Sequence, residues 1–328
     1  MPQVTLARHA MATRFELALH GPNAVALRAA GEEALDEVER LEARLSLFCP
    51  GSEIARVNAR ADREPVRVTP EVFALLQHAK QLHEESGGAF DITIAPLLHC
   101  WGFLGGNGHL PEKADELERA RACVGMSLVQ LDPTQFTVRF ARSGVMLDLG
   151  AIGKGYAVER AAEVLREAGV SSALLHGGTS SVQAIGHPPD AECWKIAIER
   201  PRTGRPSPPP PDAAPEPSSL PTLLAGVPLR DEAMSVSAVW GKGFEADGQF
   251  YGHVLDPRTG WPARGAVLAA VVLPSATEAD ALSTALLTVG VAGHESLANL
   301  RAGMRTLVVA KTGSGFHVEG RGIESRPI

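Results

Sequence analysis

The most constraining feature of this sequence is a glycine-rich segment at residues 146–158, MLDLGAIGKGYAV. A short apolar run precedes it, and over residues 155–168 apolar positions recur three and four apart, as in an amphipathic helix. A strand, a glycine turn and a helix in this order leave free N–H groups at the helix start, where phosphate binds well, and Lys154 could add a positive charge. The Walker spacing is absent, and many such turns only join a strand to a helix. The segment therefore predicts a strand–turn–helix unit and leaves phosphate binding open.

The periodicity of the remaining sequence predicts both helices and strands. Helices are expected at 24–45 and at 70–86, the second with Thr69 as N-cap and Pro70 at its first position. Strands are expected at 14–20, 136–140, 145–149, 171–176, 182–186, 193–199 and 266–273. Residues 201–221 are rich in proline and are expected to form a polyproline-like loop inserted within a domain.

Composition argues against several classes of partner and site. A net charge of −7 over 328 residues argues against a nucleic-acid partner, which normally calls for a basic face. No apolar stretch reaches the roughly 18–20 residues that cross a bilayer, so no membrane span is expected. The N-terminus lacks a secretory signal, so the chain as given is expected in the cytoplasm, with export of a longer precursor left open. The four cysteines form no CxxC pair, which argues against a zinc or dithiol centre.

A helix is also predicted near the C-terminus, in residues 276–290, ATEADALSTALLTVG. Asp280 and Thr284 are four residues apart and would share one helix face. A carboxylate and a hydroxyl there could hold Mg²⁺, which prefers oxygen ligands. Alternatively, Thr277-x-x-Asp280 resembles a capping box, in which the carboxylate only favours the helix start. The residues alone leave both interpretations open.

Two further segments carry candidate chemistry. In residues 250–263, FYGHVLDPRTGWPA, His253 is predicted on a strand just before a tight turn, where it could act as a general base or be merely structural. In residues 87–103, GGAFDITIAPLLHCWGF, a glycine pair precedes two aromatic side chains, Trp101 and Phe103. These could wall an aromatic ligand or simply belong to the core.

Taken together and in order, six segments of this sequence resemble the ApbE family of FAD:protein FMN transferases. They are MATRFELALHG, LSLFCPGSEIARVN, GGAFDITIAPLLHCWGF, MLDLGAIGKGYAVERAAEVL, YGHVLDPRTG and ADALSTALLTVG. The resemblance implies one domain over residues 1–328 with an α+β fold related to the T-fold. Two related lobes of mixed, largely antiparallel sheet with packed helices would enclose an FAD cleft between them.

The resemblance also implies a site and a reaction. The residues that would line FAD are Met11, Phe48, Ala89, Phe90, Asp91, Asp148, Lys154 and the backbone at Val254. Mg²⁺ would be held by Asp280, Thr284 and the main-chain carbonyl of Ala151. His253 would be the base for a Thr or Ser hydroxyl of an acceptor protein, with FAD as the substrate and AMP as the leaving group.

The sequence departs from the family pattern in two places. His176 and Thr179 replace residues that usually build the floor of the site, and the segment before the DPRTG strand is changed at Val236 and Ala238. These changes bear on flavin geometry or acceptor choice. Two other functions stay open: a Mg²⁺-dependent FAD pyrophosphatase that uses water, and a flavin-binding protein without turnover. The acceptor, the preferred metal and the oligomeric state are not encoded in any readable motif.

Overall fold

The computed structural model describes residues 1–201, 223–313 and 315–325. Apart from its first residue, the proline-rich loop expected at 201–221 lies outside the described residues. The helices of the described part are α1 (Ala24–Leu45), α2 (Glu53–Arg60), α3 (Pro70–Glu85), α4 (Ala95–Cys100), α5 (Ala114–Arg121), α6 (Gly153–Glu167) and α7 (Ala276–Ala298). None of these described helices has the length and apolar character of a membrane span.

The strands of the described residues pair in antiparallel order. They are β1 (Gln3–Ala10), β2 (Thr13–His20), β3 (Val66–Arg67), β4 (Val129–Asp132), β5 (Thr137–Phe140), β6 (Ala173–Gly177), β7 (Ser181–Ile185), β8 (Trp194–Glu199), β9 (Leu223–Leu229), β10 (Ala233–Ala238), β11 (Gly243–Ala246), β12 (Gln249–Gly252), β13 (Leu268–Leu273), β14 (Arg305–Lys311) and β15 (Phe316–Arg321). Eight of them form one sheet in the order β1-β2-β6-β7-β10-β13-β14-β15. The predicted α+β class with largely antiparallel sheet is confirmed.

Within the described residues, three small sheets accompany the main one: β3-β5-β4, β8-β9 and β11-β12. In the β8-β9 pair, Glu199 lies opposite Leu223, so the two strands meet on either side of residues 200–222. The halves of the eight-stranded sheet join where β7 pairs with β10, and there Ser181 lies opposite Ser235. This junction positions the candidate site described below.

Helix α1 forms over the residues that its periodicity predicts. The Asn23 side chain caps it by accepting from the N–H groups of Val25 and Ala26, at 3.0 and 3.1 Å. One stripe of apolar side chains is buried along its length: Leu27, Ala30, Ala34, Leu35, Val38, Leu41 and Leu45. This stripe contributes to the main core, which fixes the helix against the first strands.

Helix α3 begins at Pro70 as predicted, but the expected side-chain cap is absent. Thr69 occupies the N-cap position, and its hydroxyl donates instead to a carboxylate oxygen of Glu53 at 3.0 Å. The other Glu53 oxygen accepts from the Thr69 N–H at 2.6 Å. Thr69 is therefore the N-cap by position, as predicted, but its hydroxyl donates to the buried Glu53 carboxylate and does not cap the first turn.

The strand predicted at 145–149 is not formed, and β1 was not predicted. The backbone N–H and C=O of Leu147 bond to the amide side chain of Asn58, at 2.7 and 2.9 Å. The Asp148 N–H donates to the Ile92 carbonyl at 2.7 Å. The segment is without a partner strand because one side chain and one loop carbonyl satisfy its backbone groups.

Candidate active site

The glycine-rich segment leads into α6, which begins at Gly153, two residues earlier than predicted. The Gly155 N–H donates to Oδ2 of Asp280 on α7 at 2.9 Å. A Cβ at Gly155 would overlap the Ala276 carbonyl oxygen and lie 2.6 Å from Cβ of Asp280. Glycine is therefore required here because it lets the start of α6 touch the first turns of α7.

The Asp280 carboxylate is buried and held from both sides. Its Oδ1 lies 3.1 Å from the Ser235 hydroxyl and 3.4 Å from the Ser181 hydroxyl, at the β7-β10 junction. The capping-box interpretation is wrong, because the N-cap of α7 is Ser275, whose hydroxyl accepts from the Glu278 N–H at 3.2 Å. Asp280 lies inside the helix and bonds to other elements of the fold.

The other two predicted metal ligands, Thr284 and Ala151, lie on α7 and just before α6, the two helices that meet at this carboxylate. The Thr284 hydroxyl, one turn further along α7, lies 3.1 Å from the Ser237 hydroxyl. Ala151 is two residues before α6, whose start contacts Asp280. No group of three His, Cys, Asp or Glu side chains suited to a metal occurs in the described ranges. A carboxylate, a hydroxyl and a main-chain carbonyl are oxygen ligands of the kinds that Mg²⁺ prefers, so the types of these residues fit the predicted ion.

His253 lies one residue past the end of β12, rather than on the strand as predicted. Its Nδ1 is 3.0 Å from the Lys242 carbonyl oxygen, and its backbone N–H donates to the same oxygen at 3.1 Å. Because a carbonyl only accepts, Nδ1 carries the proton. Burial lowers the pKa of His253. The hydrogen bond to the Lys242 carbonyl opposes this by raising the pKa, and the charges of Lys242 and Lys154 lower it further. The neutral ring therefore presents an unprotonated Nε2.

Two lysines and one aspartate share this electrostatic environment. Burial raises the pKa of Asp148, while the Gly150 N–H, which donates at 2.6 Å, and the charges of Lys154 and Lys242 oppose the rise. Lys154 Nζ donates to the Gly150 carbonyl at 3.1 Å. Lys242 was not predicted as a site residue. The available signal was its setting in Gly-Lys-Gly, which repeats the tripeptide that opens α6.

Met11 lies in the two-residue turn between β1 and β2, which has an unusual backbone. Met11 and Ala12 both have positive φ, 51° and 56°. Left-handed conformations cost residues with a Cβ roughly 1–2 kcal/mol each. Strain of this kind is concentrated at functional sites. The turn therefore supports the assignment of Met11 to a ligand site.

The other predicted FAD contacts differ in exposure. Phe48 is 67% exposed, an aromatic ring open to a ligand. Ala89 and Phe90 are each 1% exposed, so both side chains belong to the core. The Asp91 carboxylate bonds to the Thr93 hydroxyl at 2.6 Å and pairs with His83 at 3.1 Å.

The two aromatic residues at the end of the segment 87–103 belong to a small hydrophobic cluster. Trp101 and Phe103 are buried with Leu97, Tyr251 and Leu255. The Trp101 indole N–H donates to the Gly260 carbonyl at 2.8 Å. Of the two interpretations left open, core packing is the one that this burial supports. The cluster fixes the DPRTG turn that follows His253.

The departures from the family pattern lie on β6, in the β6-β7 turn and on β10. Thr179 is in the β6-β7 turn, where the Gly178 N–H donates to the Arg14 carbonyl at 3.1 Å, beside the Met11 turn. His176 on β6 lies opposite Glu16 on β2. Burial lowers the pKa of His176, and the negative charge of Glu16 opposes this by raising it. Ala238 is the last residue of β10. His176 and Thr179 therefore lie beside the β1-β2 hairpin, and Ala238 ends the strand that carries Ser235.

The ApbE family model matches residues 11–308, nearly the whole chain. The chain belongs to the ApbE family. A Haemophilus influenzae protein named FAD:protein FMN transferase is 27% identical to this ApbE chain over 301 residues, which cover 88% of this chain and 82% of the relative. A Treponema pallidum protein of the same name is 30% identical over 282 residues, 81% of this chain and 73% of its own length. The crystal structure of an ApbE protein from Thermotoga maritima matches with a TM-score of 0.83 and 28% identity, over 97% of this chain and 96% of that one.

Proposed function

We propose that this chain transfers FMN from FAD to a Thr or Ser hydroxyl of an acceptor protein and releases AMP, in a reaction that requires Mg²⁺. The observation that carries the proposal is the 3.0 Å contact of His253 Nδ1 with the Lys242 carbonyl oxygen, which leaves Nε2 as the proton acceptor. Relatives over most of the chain bear the name FAD:protein FMN transferase, which supports the same reaction.

The two lysines provide the charge that the pyrophosphate of FAD needs. A chain with a net charge of −7 repels anions overall, so a local cationic site must attract the phosphates. Lys154 and Lys242 would supply this positive charge near His253, and the start of α6 would add backbone N–H groups. Met11 and Phe48 would contact the flavin nucleotide, and Asp148 lies within the charge field of both lysines.

Asp280, Thr284 and the Ala151 carbonyl would hold Mg²⁺. When bound there, the ion supplies positive charge to the pyrophosphate and favours loss of AMP as the leaving group. Ser235, Ser181 and the Gly155 N–H keep the Asp280 carboxylate in one orientation before any ligand arrives.

His253 is the base in the proposed transfer. Its Nε2 accepts the proton of the acceptor hydroxyl, and the Lys242 carbonyl fixes the tautomer by accepting from Nδ1. The hydroxyl oxygen forms a bond to the phosphorus of the FMN half. The bond from that phosphorus to the bridging oxygen breaks, and the electron pair leaves with AMP.

The test is to incubate the purified chain with FAD and Mg²⁺, with and without a threonine-containing acceptor domain. AMP release and acceptor mass are followed together, and a Thr→Val variant of the acceptor is the control. A mass gain equal to bound FMN, absent in the control, would establish the transferase. AMP release without a mass gain would replace it with a pyrophosphatase, and the absence of both would contradict the proposal for that acceptor.

A further inference from the structure

The β1-β2 turn holds two residues in a conformation that neither favours. A two-residue hairpin with positive φ at both positions normally carries Asn-Gly or a similar pair, because glycine has no Cβ. Here the turn is Met11-Ala12, closed by the pairing of Ala10 with Thr13. The pairing of Ala10 with Thr13 imposes positive φ on both turn residues, and a contact from outside the hairpin can offset part of the resulting strain.

Glu42 provides a contact of the required kind. It lies in the last turn of α1, and its Oε1 accepts the Met11 N–H at 2.7 Å. The ladder hydrogen bonds of the hairpin end at the Ala10–Thr13 pair, so this N–H is free to bond elsewhere. A hydrogen bond to a carboxylate is among the stronger kinds in proteins. The contact joins residues 31 positions apart in the sequence.

The same residue connects the turn to the loop that presents Phe48. The Glu42 carbonyl accepts from the Ser46 N–H at 3.0 Å, and the Ser46 hydroxyl accepts from the Phe48 N–H at 3.2 Å. Glu42 therefore contacts the Met11 turn through its side chain and the Phe48 loop through its backbone. Movement of either segment away from the other would break one of these bonds.

We propose that Glu42 is a positioning residue for FAD binding. It holds the Met11-Ala12 turn in its left-handed conformation and sets it against the Phe48 loop, so that both segments meet one flavin nucleotide. The inference rests on the proposed function for the identity of the ligand. The strain and the hydrogen bond that carry it are independent of the reaction.

The test uses a double-mutant cycle with FAD binding measured by flavin fluorescence in EDTA, where transfer is off. Glu42→Ala is expected to weaken FAD binding about tenfold, since the lost bond involves a charged group. The FAD affinity of Ala12→Gly alone is measured as the reference for the double variant. In the double variant Ala12→Gly should restore most of the lost affinity, because glycine adopts positive φ without strain. Glu33→Ala, on the exposed face of the same helix, is the matched control.

Hydrogen exchange at the Met11 amide supplies a second measurement. The amide should be protected in the wild type and in Glu33→Ala, and unprotected in Glu42→Ala. If Glu42→Ala does not fold, Glu42→Gln, which keeps an acceptor oxygen, should show a smaller loss of affinity in the same direction. Equal FAD affinity in Glu42→Ala and Glu33→Ala, or failure of Ala12→Gly to restore binding, would overturn the proposal. A wild type that binds no FAD would contradict the proposed function instead, while amide exchange would still test the contact.

Discussion

The Gly155 N–H donates to the Asp280 carboxylate across a helix contact that has no room for a Cβ. This single contact joins the glycine-rich segment to the helix that carries the predicted metal ligands. Its geometry gives the most direct prediction about the site.

Gly155→Ala should destabilise the fold and weaken Mg²⁺ binding together. The new methyl group would overlap the Ala276 carbonyl, so α6 and α7 must separate and Asp280 loses a donor. Overpacking of this kind costs roughly 1–3 kcal/mol of unfolding free energy. Thermal unfolding with and without Mg²⁺ measures both effects. Gly51→Ala is the control, because a Cβ there would have nothing within 4 Å, and it should change neither quantity. An unchanged unfolding temperature and Mg²⁺ response in Gly155→Ala would contradict the contact.

Ser235→Ala should lower Mg²⁺ affinity while leaving FAD binding in EDTA nearly unchanged. The Ser235 hydroxyl lies 3.1 Å from Oδ1 of Asp280, and loss of such an outer partner typically costs about 10–100-fold in metal affinity. Titration of AMP release against Mg²⁺ concentration gives the affinity. Ser172→Ala, whose hydroxyl donates to the His187 carbonyl at 2.7 Å past the end of β7 opposite to Ser181, serves as the control. An unchanged Mg²⁺ requirement would remove Ser235 from the site.

The pH dependence of transfer should reflect a histidine with a lowered pKa. Burial disfavours the imidazolium form of His253, so the base stays neutral at pH values where an ordinary histidine is half protonated. The rate constant at low FAD concentration should be flat above about pH 6.5 and fall only at lower pH. His253→Ala should slow transfer and leave FAD affinity nearly intact. An inflection above pH 7 that disappears in His253→Ala would contradict this assignment.

The same histidine should also affect stability. Its folded pKa lies below the unfolded value, so the unfolded chain binds more protons between the two. The contribution of His253 to the free energy of unfolding is therefore complete above about pH 6.5 and is lost as the pH falls to the folded value. Chemical denaturation of the wild type and His253→Gln across this range would show the two curves approaching each other at low pH.

Phe48→Ala should weaken FAD binding without destabilising the fold. The side chain is 67% exposed, so its removal leaves no cavity in the core. Stacking of a heterocycle on an aromatic side chain is worth about 1–3 kcal/mol by alanine substitution, which corresponds to a loss of about 5- to 150-fold in affinity. Val25→Ala, at another exposed apolar side chain, is the matched control for unfolding temperature and for FAD affinity. Equal affinity in the two variants would exclude a flavin contact at Phe48.

The sequence was sufficient for elements whose formation depends on local pattern. Helix α1 has both its stripe and its Asn23 cap in the sequence, and α6 follows its glycine turn. The extended segment at 145–149 could not be predicted correctly, because Asn58, 89 residues from Leu147, satisfies its backbone. The Thr69 hydroxyl does not cap α3 for a similar reason, since it donates to the Glu53 carboxylate.

Motifs in the sequence led to the predicted site residues. They did not lead to the residues that hydrogen-bond to those site residues. Asp280 and His253 stand in recognisable segments. Ser235, Lys242 and Glu42 act through a carboxylate, a carbonyl or a turn that only the fold brings close to them. Long-range hydrogen bonds of this kind leave no spacing rule in a single sequence.

The pairing of Glu199 with Leu223 has a consequence for how this chain tolerates change. Residues 200–222 leave the β8-β9 pair and return to it at one point, whatever their own conformation. A segment with neighbouring ends can lengthen, shorten or accept an inserted tag with little effect on the strands around it. An affinity tag or a fluorophore for the binding measurements is therefore best attached within this segment. Neither the eight-stranded sheet nor the Ser181 and Ser235 hydroxyls at its β7-β10 junction should be disturbed by the insertion.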